Sequence, residues 1–278
     1  MIGVYIALTG KEWVRKRVLY AAVALTALFV GLFAYGVKEL SGLQQAEPLE
    51  RLLNHVIMLY LGLFFAQFIT AFVVLFACMG TLSGERESGL LLAILARPQP
   101  RWKIYAAKWI GHAAWLLLFS TLLFGAIVAI IRFNGGFPYE IPMLLKSWAL
   151  FEAVPLLLLT VTMLGSVYLP TLGNGIFAAL LYGFALFSGF LEGINAGGAH
   201  PAIDKLALLT GLVMPTDAVF RRCMYELIGG GDLPLPSSGE LGPFSLAAIP
   251  SNAFLLYAAC YAALLLLLGF RAFSRKDI

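Results

Sequence analysis

The sequence has very little that would make a water-soluble surface. Only 12% of its 278 residues are charged and 61% are hydrophobic, which excludes a soluble globular domain. Cysteine is scarce: Cys78, Cys223 and Cys260 stand far apart with no CxxC pair, so neither a disulfide framework nor a metal site is expected. His55, His112 and His200 are equally scattered, with no second ligand at metal spacing, and each reads as a wetted interfacial histidine. A P-loop is missing too. The only Gly-Lys pair, Gly10-Lys11, is followed by Glu12, and Tyr5 stands where the first glycine would be. The chain is not expected to hydrolyse ATP by itself. Nor does it contain HExxH, GxSxG or paired intramembrane aspartates, which argues against an intramembrane protease or lipid transferase.

What the sequence does have is long apolar runs. Crossing a hydrocarbon layer of ~30 Å takes about 20 residues of helix. Six runs qualify, at 18–37, 56–82, 104–131, 147–169, 175–192 and 249–270, the fifth being short for a span. The expected fold class is an all-α integral membrane protein with six transmembrane helices. With the N-terminus inside, the inner segments 1–17, 83–108 and 271–278 hold 12 of the 19 lysines and arginines, and the longer outer segments hold 7. Both termini are therefore expected in the cytoplasm. The net charge of +4 then reflects topology rather than nucleic-acid binding. No cleavable signal peptide is expected, because Arg15-Lys16-Arg17 precedes a run long enough to remain as an anchor.

The most informative polar stretch is Ser83 to Lys108. Ser83 is a candidate N-cap, Glu85 and Glu87 suit a helix N-terminus, Arg97 precedes the stop at Pro98 and Pro100, and Arg101, Lys103 and Lys108 open the next apolar run. This predicts one short helix from about Gly84 to Arg97 along the inner membrane surface, with Glu85 and Glu87 facing water. The stretch Glu85-Arg86-Glu87-Ser88-Gly89, with Arg97-Pro98, Arg101 and Lys108, resembles the membrane subunits of ABC exporters of the ABC-2 type. Leu90 stands where that family usually has threonine.

The resemblance covers nearly the whole chain and implies a single permease domain, 1–278, of the type V exporter kind. It implies an interfacial elbow helix over 1–17 and a coupling-helix region over 83–103 that rests on a separately encoded ATPase. Glu85, Arg86, Glu87, Gly89, Arg97 and Arg101 would then form the ATPase interface. ATP and Mg would bind two copies of that partner and no cofactor this chain. A second permease copy, a homodimer, membrane lipid and the bacterial cell membrane complete the implied setting. A passive channel or membrane anchor is the competing class of function, and it would not need a charged, capped inner helix.

Elsewhere, Ile2, Tyr5, Ile6, Thr9 and Trp13 recur at helical spacing, as an interfacial helix requires. Glu152, three residues before Pro155, is either a pathway residue or a glutamate bonding the backbone that the proline loosens. Glu192 closes the fifth span, and 170–175 suits a tight inner turn. The outer segment 193–248 is too long for a turn. It holds two helices, Ala202 to Val213 and Ala218 to Ile228, expected to re-enter the outer leaflet or cover the span ends. Pro215, Thr216 and Asp217 lie between them, with Thr216 or Asp217 as cap. The face of Val219, Cys223 and Leu227 is expected on spans five and six, and Arg221 and Arg222 at headgroups, cargo or an extracytoplasmic partner. Residues 214–231, MPTDAVFRRCMYELIGGG, look most like the permease serving nitrous oxide reductase maturation. Cargo is expected to be hydrophobic or amphiphilic, or force passes to an outer partner.

Overall fold

A computed structural model describes residues 9–13, 17–43, 48–91, 100–135, 139–195, 200–228 and 249–276. Among these residues every regular element is helical. They are α1 (Arg17–Leu43), α2 (Pro48–Cys78), α3 (Ser83–Glu87), α4 (Arg101–Gly135), α5 (Ile141–Tyr168), α6 (Thr171–Ile194), α7 (Pro201–Val213), α8 (Thr216–Leu227) and α9 (Asn252–Arg275). Residues 9–13 are also helical. Six of the helices, α1, α2, α4, α5, α6 and α9, are long and apolar enough to span, one for each predicted run. The protein is an all-α integral membrane protein.

Several boundaries moved for identifiable reasons. The fifth span is not short. It starts at Thr171, so of the expected turn 170–175 only Pro170 remains, and Leu169, expected in the fourth span, completes the two-residue link. The fourth starts at Ile141 because Pro142, a residue suited to a first helical turn, follows at once. The two outer helices match prediction to within two residues.

The bundle is centred on α5, which packs against α2, α4, α6, α8 and α9. Within their most apolar windows α5 is 72% buried and α2 67%, against 6% for α1 and 11% for α9. Two apolar clusters run along this axis. One, toward the end of the bundle that holds α8, joins Leu63, Ile127, Phe151, Phe220 and Met224; the other, toward the end that holds α3, joins Cys78, Tyr105, Leu158, Leu159 and Met163. Lipid is as apolar as these side chains, so burial alone does not drive such helices together. Close packing and interhelical hydrogen bonds must fix their register.

The outer helices depart from the expected arrangement. The Val219, Cys223 and Leu227 face is fully buried, but α8 packs chiefly on α5, the fourth span, and less on α6, the fifth, whereas spans five and six were expected. Cys223 donates its thiol hydrogen to the Ser147 carbonyl of α5 at 3.1 Å. So α8 is part of the core. Its neighbour α7 packs on α6 and leaves Leu206, Leu208, Leu209 and Val213 exposed.

Candidate functional site

The end of the bundle where α3 lies is held by one polar network, and α3 is its hub. The expected helix from Gly84 to Arg97 is not continuous. It ends at Glu87, and Gly89 adopts a left-handed φ of 73° while its amide bonds the Arg86 carbonyl at 3.1 Å. A Cβ at Gly89 would be strained there. Arg97 lies outside the described residues. Ser83 is not the cap but the first helical residue; the N-cap position falls to Leu82, whose side chain makes no cap bond. The Ser83 hydroxyl instead meets Met79 O at 3.3 Å and Thr171 Oγ1 at 2.9 Å.

The three charged residues of α3 each reach a different span. Glu85 pairs with Lys108 of α4, and the two side chains are only 13% and 8% exposed, so Glu85 does not face water as expected. Lys108 also donates to the Thr81 carbonyl at 3.4 Å. Arg86 donates to the carbonyls of Val167 and Leu169 at 3.0 and 3.4 Å, groups left without helical partners at the C-terminus of α5. Glu87 is exposed, and its carboxylate accepts from the Thr171 amide at 2.8 Å and the Thr171 hydroxyl at 3.0 Å. It thus caps α6 from another helix, an anion at a helix N-terminus whose own N-cap, Pro170, offers no side-chain bond.

Neighbouring groups close the network. Asn174 donates to Met79 O at 2.7 Å and Thr162 O at 2.9 Å, tying α6 to the end of α2 and to α5. Arg101, expected at the ATPase interface, donates to the Lys276 carbonyl and joins the start of α4 to the end of α9. Lys276 in turn donates to Val167 O, and burial, with the nearby Arg86 charge, lowers its ammonium below the usual lysine range.

His112 is not a wetted interfacial histidine. It is 2% exposed, accepts from Trp13 Nε1 at 3.0 Å through Nδ1 and meets Thr81 Oγ1 at 2.9 Å through Nε2. Thr9 and Trp13, from the expected elbow stripe, are therefore buried against α4; residues 1–8 and 14–16 of that expectation lie outside the described residues.

Glu152 is buried at 4% exposure and accepts from Ser120 and from Thr121 Oγ1 at 2.8 Å, both on α4. Its partners are side chains of the neighbouring span rather than backbone freed by Pro155.

A second charged cluster lies at the opposite end, around α8. Arg221, 5% exposed, pairs with Glu192 of α6, and its Nε stands 2.9 Å from Asp217 Oδ2. Arg222 bonds Glu226 at 2.9 Å and the Pro250 carbonyl at 3.0 Å. Arg221 is buried, and each arginine has a carboxylate partner within the fold. Pro215, not Thr216 or Asp217, is the N-cap residue of α8, so Asp217 falls inside the first turn and turns toward Arg221 instead of capping. Burial holds the Asp217 carboxyl above its ordinary range, against the lowering effect of Arg221. Sequence reasoning missed Lys108 and Thr171 as partners of α3, and Asn174 as the tie from α6 to α2 and α5. Asn174 carried a signal, a polar amide beginning an apolar run, but it was absorbed into the expected turn.

Six spans, a short charged helix wedged under the turn between the fourth and fifth, and a helix pair between the fifth and sixth of which α8 is buried define a polytopic membrane protein. The profile of the ABC-2 family transporter proteins matches residues 9–278, and the chain belongs to that family. It is accordingly a permease component of an ABC transporter, a class of membrane subunit that pairs with an ATPase. No curated protein matches the sequence significantly.

Proposed function

We propose that the chain is the permease of an ATP-driven exporter, with both termini cytoplasmic, and that α3 is the element through which the ATPase moves it. The observation that carries this reading is the attachment of Glu85, Arg86 and Glu87 to α4, α5 and α6 respectively. A displacement of α3 would then move three spans together, the kind of rigid-body switch that alternating access needs. Two copies of a separate ATPase hold ATP and Mg and make the inner contact through the exposed side of Glu87 and Gly89.

A second copy of the permease completes the machine as a homodimer. The exposed ladder Phe65, Phe68, Phe72 and Phe76 on α2, otherwise one of the two most buried spans, supports a protein neighbour there. The cargo is hydrophobic or amphiphilic, or force passes to an extracytoplasmic partner, in keeping with so few charges. The test is co-purification with the ATPase encoded beside it, followed by ATPase assays of the reconstituted complex. Stimulation by candidate amphiphiles supports the reading. An ATPase that neither binds nor responds to the permease rejects it.

A further inference from the structure

Next to the outer ion cluster lies a small enclosed cavity with room for about one water molecule. Gln67 of α2, Tyr182 of α6, and Thr216, Asp217 and Phe220 of α8 line it. Two facts set this cavity apart from a packing defect. Gln67 is 4% exposed, and neither its amide oxygen nor its nitrogen has a hydrogen-bond partner among the described residues. The Thr216 hydroxyl is fully buried and equally unpartnered. Leaving such groups dry costs about 1–3 kcal/mol each, so an occupant is expected.

Charge indicates which occupant. The adjoining cluster holds two carboxylates, Asp217 and Glu192, for a single guanidinium, Arg221, and these are the charges that act on Asp217. An uncompensated carboxylate in a low-dielectric setting is costly unless a positive charge joins it. An anion, which a helix N-terminus would otherwise attract, is repelled by Asp217 in that first turn.

We propose that this cavity binds one monovalent cation, coordinated by the oxygens of Gln67, Thr216 and Asp217. Hard oxygen donors and a water-sized space suit Na⁺ or K⁺. The bound ion joins α2 to the start of α8 beside α6, so its occupancy bears on how the outer helix pair is held.

The test uses the full chain in lipid nanodiscs, with Tm read in NaCl, KCl, LiCl or N-methyl-D-glucamine chloride at one ionic strength and pH. The expected result is a Tm that rises saturably with one or more of the metal ions over N-methyl-D-glucamine. Gln67→Leu should remove the cation response while keeping, or raising, Tm in N-methyl-D-glucamine, because an apolar side chain leaves nothing unpaired. As a control for folding, Thr216→Ser should retain the response and Thr216→Val should weaken the apparent affinity by roughly tenfold or more. Equal Tm values in all four salts would overturn the proposal. So would a response that survives in both Gln67→Leu and Thr216→Val. A Tm that follows pH and ignores the cation would also overturn it, assigning the balancing charge to a proton on Asp217.

Discussion

Glu87 caps a helix to which it does not belong: its carboxylate receives both the amide and the hydroxyl of Thr171, 84 residues away, at 2.8 and 3.0 Å. The short inner helix and the fifth span are thereby joined by a charge-assisted pair of bonds at the edge of water. Glu87→Ala should leave insertion and Tm nearly unchanged, since the residue is exposed, yet reduce ATPase coupling measured as permease-stimulated turnover. Thr171→Val should reproduce that loss, and the double mutant should add little to either. Full stimulated turnover in both single mutants would remove this bond from the coupling route.

Lys108 and Glu85 behave differently because both are mostly buried. Lys108→Met should cost about 3 kcal/mol by stranding a carboxylate in the protein. Glu85→Gln together with Lys108→Met should recover most of the loss, as read from thermal unfolding in detergent. Additive losses would mean that the two side chains act separately.

Arg221 is expected to be structural rather than a surface contact. Arg221→Met should destabilise by about 3–5 kcal/mol, because Asp217 and Glu192 are left facing each other. Arg222→Ala, which loses the Glu226 and Pro250 bonds at a partly wetted site, should cost about 1 kcal/mol. Equal tolerance of the two changes would contradict the burial difference.

Gly189 of α6 lies where a methyl group would overlap the Asp217 carboxylate of α8. Gly189→Ala should therefore part the two helices and cost about 1–3 kcal/mol, whereas Gly183→Ala, which meets open space, should leave Tm unchanged. A neutral Gly189→Ala would show that α6 and α8 are not in close contact there.

Orientation can be checked with single cysteines in a background lacking Cys78, Cys223 and Cys260. Ser88→Cys and Ser274→Cys, both exposed, should resist an impermeant thiol reagent added outside whole cells, and Ser238→Cys should react. Reaction at Ser88→Cys would invert the topology and remove α3 from the ATPase side.

The number, order and approximate limits of the spans, and the two outer helices, were legible in the sequence because length and hydropathy are local properties. Each apolar run had to become a helix long enough to satisfy its own backbone in lipid. What the sequence left open was the partner of each charge. Glu85 and Glu87 look alike beside Arg86, yet one is buried on Lys108 and the other caps α6 at the surface. Arg221 and Arg222 are neighbours, yet one is inside a buried cluster and the other ties α8 to the start of α9. These assignments depend on which helices stand side by side and how they are rotated. Tertiary packing alone sets that, through contacts between residues as far apart as Arg101 and Lys276.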